Sequence, residues 1–314
     1  MSGHEQQAVE IIDIAAWRPD DQFAIYPEGT REKSLWISPS PAPMSFLQPG
    51  HRYLFKHSSR RYPAQFWCEV IAYRVGCLMG IPVPPAYAAR NSHTQQSAAL
   101  IEWFYRQDQE VRYESGTAHM KKMIPDFDVK KGRQHNIESV LTILAGIDER
   151  MIQDMARILV FDALIGNTDR HQENWGILWR GQPQRPELAP AFDNGTSLGH
   201  EIMDAKLANF LSDPARMALY IEKGRHHIRW SADGEQCLHF ELVAWLLNRY
   251  PELRHNLSKC LEFDMGILIN FLNTLQCFTI PDPLASERIQ FMERLIRCRK
   301  ERLHSIFDLQ GLRP

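Results

Sequence analysis

The chain has no paired-cysteine signature. Its 314 residues include six cysteines (Cys68, Cys77, Cys237, Cys260, Cys277 and Cys298), and no two form a C-x-x-C pair. They read as buried thiols of a reducing compartment rather than as a disulfide framework. No run of 18 apolar residues exists, so a membrane span is not expected. The first ten residues, MSGHEQQAVE, are polar and show no secretory pattern. Strong charge is missing too: the formal net charge of −2 argues for neither a nucleic-acid nor a membrane partner. No internal repeat is visible. What is present, 44% hydrophobic and 24% charged residues, is the composition of an ordinary globular protein. The expectation is a cytoplasmic protein with one large or two coupled domains.

From Gln22 to Lys56 the chain is turn-rich and strand-like: FAIY, the turn PEGTREK, SLWI, the Pro/Ser connector SPSPAP, then YLFK. FAIY and SLWI read as antiparallel strands about a loop. Residues 64–80, AQFWCEVIAYRVGCLMG, change period, with Phe66, Val70, Tyr73 and Cys77 at helical spacing and Gly80 and Pro82 as the stop. ALIEWF (99–104) is again strand-like. Beyond Tyr105 the character becomes helical, notably at Ile137–Ala145 and Met151–Ile165. The second half of the latter is apolar nearly all round, which predicts a buried helix. CLHFELVAWLLNRY and ERIQFMERLIRCRKERLHSIF are helical as well. The predicted class is α+β with two lobes: a β-rich front, residues 1–105, and a mainly helical back, residues 106–314.

The densest chemistry is in IGNTDRHQENWG (165–176), where Asp169 is followed five positions later by Asn174. WGILW (175–179) reads as a strand, RGQPQRPE as a turn and LAPAF (188–192) as the return strand, with Pro190 restricting it to an edge. Such a hairpin brings its open ends together. Asp193 of AFDNG then lies beside Asn174 and Asp169. Two carboxylates and an amide oxygen at one place suit a hard cation such as Mg²⁺ together with phosphate oxygens. A second carboxylate can accept a hydroxyl proton. Protein kinases use this order, a catalytic-loop Asp, a metal-binding Asn five residues on and a further metal-binding Asp downstream, although here the triplet is Asp-Arg-His.

GNTDRHQENWG followed by LAPAFDNG resembles the catalytic and metal loops of the HipA-like kinases, and the DRHxxN order resembles that of the related phosphatidylinositol 3- and 4-kinases. The front half is similar in the same order. Gly29, Thr30, Arg31, Glu32, Lys33 and Ser34 resemble the phosphate-binding loop. Lys56 ends YLFK like the family's strand lysine. Glu69 precedes GIPVP as the family's helix glutamate does, and IEWF resembles the hinge at Glu102, Trp103 and Phe104. The resemblance covers residues 22–200. It implies a two-lobed protein-kinase-like fold, ATP and Mg²⁺ as cofactors, and transfer to a Ser/Thr hydroxyl of a protein. Lys56 would meet the phosphates, held by Glu69. Asp169 would be the base, and Asn174 and Asp193 would hold the metal. Toxin-type kinases of the family act on translation factors such as aminoacyl-tRNA synthetases, and short members work with a small, antitoxin-like or regulatory partner protein.

Each piece also has a plain reading. Lys56 alone is a strand-end lysine, and PEGTREK a hairpin loop. Glu69 alone is a solvated helix acid, although it shares a face with Phe66, Ala72 and Tyr73. His171 reads as a loop-fixing residue. Basic clusters lie at 130–135, 222–230 and 294–304, with a nucleic-acid face as one alternative; the last, interleaved with Ile296, Leu303 and Ile306, reads as the solvated face of an amphipathic helix. A lipid acceptor and a non-catalytic nucleotide-binding module remain alternatives. One departure is Tyr26, which stands where HipA kinases carry the serine that is autophosphorylated; Ser34, Ser38 and Ser40 are substitutes. The extra N-terminal subdomain of longer relatives is not expected.

Overall fold

The computed structural model describes residues 10–20, 31–106 and 110–309. Two short strands, β1 (Ile12–Asp13) and β2 (Arg18–Pro19), precede β3 (Lys33–Ile37) and β4 (Arg52–Lys56). Helix α1 (Gln65–Met79) leads to β5 (Ala86–Asn91) and β6 (Gln96–Glu102). These six strands form one sheet in the order β1-β5-β6-β4-β3-β2, antiparallel except for β1 with β5. Alternation along β4 sends Tyr53 and Phe55 into an apolar cluster with Ile12, Trp17, Tyr87 and Leu100. Lys56, next in line, emerges on the opposite face.

α1 begins and ends where predicted. It is buried on nearly all sides, including Glu69 at 3% exposure. Its last turn closes on Gly80 at φ +65°, a conformation that favours glycine. Gly76 is needed for a different reason: a methyl group there would overlap the Val83 side chain, so the segment after the helix lies directly on it.

The expectation that helix follows directly after Tyr105 is corrected. The next element is β7 (Val111–Ser115), which joins β8 (Gly176–Arg180) and β9 (Arg185–Leu188) in a three-stranded antiparallel sheet. Between them run α2 (Gly116–Met123), α3 (Ile137–Ile147) and α4 (Arg150–Ile165). The hairpin exists, but its return strand comes earlier than LAPAF. Arg185 pairs with Arg180 and Leu188 with Ile177, and the turn shrinks to residues 181–184. Pro190 has no N–H for a ladder, so pairing stops after the Ala189 N–H bonds the Gly176 carbonyl at 2.9 Å. The FAIY strand lies outside the described residues; β2 pairs with β3.

The remaining chain comprises α5 (Leu207–Ser212), α6 (Pro214–Glu222), β10 (Arg225–Arg229), β11 (Gln236–Leu238), α7 (His239–Arg249), α8 (Arg254–Lys259), α9 (Met265–Leu275) and α10 (Ser286–Leu309); α7, α8 and α10 pack on α4, and α5, α6 and α9 pack on α10. Cys237 and Leu238, expected in a helix, belong to β11. The main apolar cluster runs from α1 through α4 to α7, α9 and α10, so it spans both the front and the back of the molecule. No helix among the described residues is long and apolar enough to cross a membrane.

Candidate active site

The catalytic-type loop begins where α4 ends, at Gly166 with φ +67°. One turn earlier, Asp162 is fully buried within the apolar second half of α4. Arg170, also fully buried, meets it through Nε to Oδ2 at 3.0 Å and Nη2 to Oδ1 at 2.8 Å. Asn167 Nδ2 donates to Asp162 Oδ1 at 3.1 Å, and His226 Nε2 lies 3.2 Å from Oδ2. Burial alone would raise the Asp162 carboxyl; Arg170 and then the His226 hydrogen bond hold it far below its ordinary value.

Arg170 also reaches forward. It donates to the Asn174 carbonyl at 3.1 Å, to the Phe192 carbonyl and to Asn194 Oδ1 at 2.8 Å. One guanidinium therefore ties the helix end, the loop carrying Asp169 and Asn174, and the loop carrying Asp193. Within the first loop, the Asp169 N–H bonds Asn167 Oδ1 at 3.1 Å, and Asn174 Nδ2 donates to the Asp169 carbonyl at 2.6 Å. His171 Nδ1 accepts from the Glu173 N–H at 3.1 Å, a loop-fixing contact.

Opposite this frame, Lys56, Glu69 and Asp193 converge. Lys56 Nζ is 3.0 Å from Glu69 Oε1 and 2.7 Å from Asp193 Oδ1. The Asn194 N–H donates to Glu69 Oε2 at 2.8 Å, joining α1 to the Asp193 loop. Arg31 completes the cluster. Its Nη2 is 2.6 Å from Asp193 Oδ1 and 3.2 Å from Glu69 Oε1. Asp193 itself sits at φ +56°, a strained value that an aspartate tolerates better than most residues. Burial would raise its carboxyl, but Lys56 and then Arg31 hold it well below the ordinary range. Asp169 behaves oppositely. Burial raises its carboxyl and the Asp193 charge adds to the rise, against the opposing pull of His171, Arg31 and Lys56.

The sequence assigned the phosphate-binding stretch 29–34 to a loop. Gly29 and Thr30 lie outside the described residues, and Lys33 and Ser34 already belong to β3. The Glu32 carbonyl accepts from the His57 N–H at 3.0 Å, and Ser34 Oγ accepts from Trp36 Nε1 at 2.8 Å. Lys33 pairs across the sheet with Lys56; burial and the Lys56 charge push its ammonium below the usual value. What this stretch brings to the acidic cluster is the Arg31 side chain.

The hinge-like segment divides. The Glu102 carboxylate is occupied by Gln48 Nε2 at 2.7 Å and the Tyr53 hydroxyl at 3.2 Å, and burial raises it. The Glu102 N–H bonds the Pro85 carbonyl and the Trp103 N–H bonds the Arg52 carbonyl, at 2.8 and 3.0 Å. The Phe104 N–H makes no hydrogen bond to another described residue. The Phe104 ring stacks on Phe192 at 5.2 Å between centroids and on Trp103 at 6.0 Å, which carries the aromatic wall to the residue before Asp193.

Asn174 and Asp193 could hold a hard divalent cation. The Asn174 amide nitrogen is committed to Asp169, which leaves its oxygen turned away, and Asp193 supplies an ionised carboxylate. Asp162, Asn194 and His226 were not among the residues expected at the site, and Arg31 was expected there as part of the phosphate-binding loop. Asp162 carried a signal: an acid inside a wholly apolar helical run is nearly always paired. Asn194 and His226 carried none.

A family model described as the HipA-like C-terminal domain matches residues 27–252. The putative kinase Y4dM of Sinorhizobium fredii is 27% identical over 154 residues, covering 49% of this chain and 37% of that protein. The serine/threonine-protein kinase CtkA of Helicobacter pylori is 32% identical over 91 residues, 27% of either protein. The matched stretches thus span well under half of the curated relatives' length. The crystal structure of the H. pylori proinflammatory kinase CtkA superposes with a TM-score of 0.74 at 16% identity, covering 96% of this chain and 98% of that one. HipA of Shewanella oneidensis MR-1, solved with HipB and operator DNA, gives 0.56 at 12% identity, covering 97% and 76%. These likenesses establish the two-lobed, kinase-like fold.

Proposed function

The chain belongs to the HipA-like C-terminal domain family, and from that premise we propose that it is an ATP- and Mg²⁺-dependent kinase that transfers the γ-phosphoryl group to a Ser/Thr hydroxyl of a protein. The observation that carries this reading is the contact of Lys56 with both Glu69 and Asp193. A strand lysine, a helix glutamate and a metal-loop aspartate converge as phosphoryl transfer requires.

Glu69 fixes Lys56, whose ammonium neutralises phosphate oxygens. Asn174 and Asp193 would hold Mg²⁺, which supplies charge neutralisation for the transferred group. Asp169 faces the acceptor hydroxyl and takes its proton as the hydroxyl oxygen bonds to the γ-phosphorus and the bond to ADP breaks. Its raised carboxyl makes it a better base than an ordinary aspartate. The Phe104 N–H and the Phe104–Phe192 wall suit an adenine edge and face. In this reading the front lobe is residues 1–105 and the back lobe 106–314. The acceptor is a protein, a translation factor being the family's precedent. A small antitoxin-like or regulatory partner is part of the same proposal, with HipA solved beside HipB as its support. Six free thiols agree with a reducing cytoplasm.

A structure with Mg²⁺ and a non-hydrolysable ATP analogue tests the reading. Metal density on Asn174 and Asp193, with phosphates at Lys56, is the expected result. A nucleotide bound elsewhere, or a metal with neither ligand, would overturn it.

A further inference from the structure

Asp193 Oδ1 is oversupplied with cations. Lys56 and Arg31 both meet that one oxygen, at 2.7 and 2.6 Å. Lys56 has a second firm contact on Glu69 at 3.0 Å, whereas the second contact of Arg31 is longer, 3.2 Å. The other terminal nitrogen of Arg31, Nη1, is buried and has no hydrogen-bond acceptor among the described residues. A buried guanidinium N–H without an acceptor is rare, because it forfeits hydration without replacement. The missing side chain at Gly195 leaves room for it: a methyl group there would meet Nη1, and the guanidinium would have to shift.

We propose that Arg31 is a side-chain phosphate ligand of the nucleotide site, parked on Asp193 until phosphate arrives. This rests on the reading of the site as one for nucleoside triphosphate. A guanidinium presents its donors as a planar fork that matches phosphate oxygens, and Nη1 is the donor left open for them. Drawing Arg31 onto phosphate frees one of the two ion pairs on Asp193 Oδ1, and the freed oxygen becomes available to the metal. Arg31 and the metal therefore compete for Asp193 when no nucleotide is present. Phosphate resolves the competition by giving Arg31 another anion. The consequence is an order of loading: metal alone binds weakly, and nucleotide makes its own metal site.

Binding measurements on the whole chain test this without reading activity. Wild type, Arg31→Ala and Arg31→Lys are titrated with ATP and with adenosine, both in EDTA, and separately with Mn²⁺ alone. Arg31→Ala is expected to weaken ATP binding by roughly ten- to hundredfold, the range for losing charge-assisted hydrogen bonds, while leaving adenosine binding unchanged. It should tighten binding of Mn²⁺ alone. Arg31→Lys keeps the charge but loses the fork, so it falls between the other two and guards against misfolding of the alanine variant. Equal ATP affinity in wild type and both variants would overturn the role of Arg31 while leaving the nucleotide site intact. Failure of wild type to bind ATP at all would overturn the nucleotide reading as well.

Discussion

Two ion networks lie side by side in this protein, one fully buried around Asp162 and one around the part-exposed Asp193, and they are built on different rules. Around Asp162, charges and hydrogen bonds are matched: Arg170 covers both carboxylate oxygens, and Asn167 and His226 add to them. Around Asp193, two cations crowd one oxygen and a guanidinium nitrogen is left without an acceptor. The first network is closed and belongs to the frame. The second is complete only when something anionic joins it. The difference separates side chains that hold the loops from side chains to which we assign the proposed chemistry.

Breaking each network should give a different kind of loss. The largest effect is on chemistry. Asp169→Ala should lower phosphotransfer by roughly 10²–10⁴-fold, the range for a positioned general base, with nucleotide binding retained; initial rates and equilibrium binding on one preparation check both. Next comes the frame. Arg170→Ala strips the buried Asp162 carboxylate of its ion pair and the loops of their shared tie, and should cost about 3–5 kcal/mol of stability, read from denaturant unfolding. Lys56→Met should cost only about 1–2 kcal/mol, since Arg31 still pairs with Glu69 and Asp193, yet it should impair nucleotide use. Comparable stability losses in Arg170→Ala and Lys56→Met would erase the distinction between frame and site.

The smallest effect has the opposite sign. The Asp169 carboxyl is raised above its ordinary 3.8 by burial and by Asp193, so the folded chain holds that proton more tightly than the unfolded chain does. An acid with a raised folded value contributes stability below its unfolded value and loses it as pH rises through the folded value. At neutral pH the ionised group is therefore a burden. Asp169→Asn should remove the burden and raise the melting temperature by roughly 1–3 °C while abolishing transfer. The gain should vanish when the melts are repeated below pH 3.8. A lower melting temperature at pH 7 would contradict the assignment.

Local signals carried most of the site. Asp169, Asn174 and Asp193 were legible because a loop and a hairpin bring them together over a short stretch, and α1 was legible because its helical period and its stop at Gly80 are written into neighbouring residues. Strands β1 and β2 were not, since two residues cannot display a period. VRYES alternates enough to be a strand, but its partner β8 lies some sixty residues away. The early return strand escaped because LAPAF is the more apolar segment, whereas the turn geometry selects RPEL. Arg31 is the clearest limit. Its position in the motif put it among the phosphate-binding residues, but only the folded chain brings its side chain to Asp193, 162 residues on.

The proposed reaction is γ-phosphoryl transfer to a Ser/Thr hydroxyl, with Asp169 as base. Its most direct test compares wild type and Asp169→Ala with ATP labelled at the γ- or the α-phosphate, Mg²⁺, and protein and lipid acceptors. Label from γ-labelled ATP alone, on phosphoserine or phosphothreonine, in wild type only, is the expected result. Label from α-labelled ATP, label confined to lipid, or equal transfer by Asp169→Ala would contradict it.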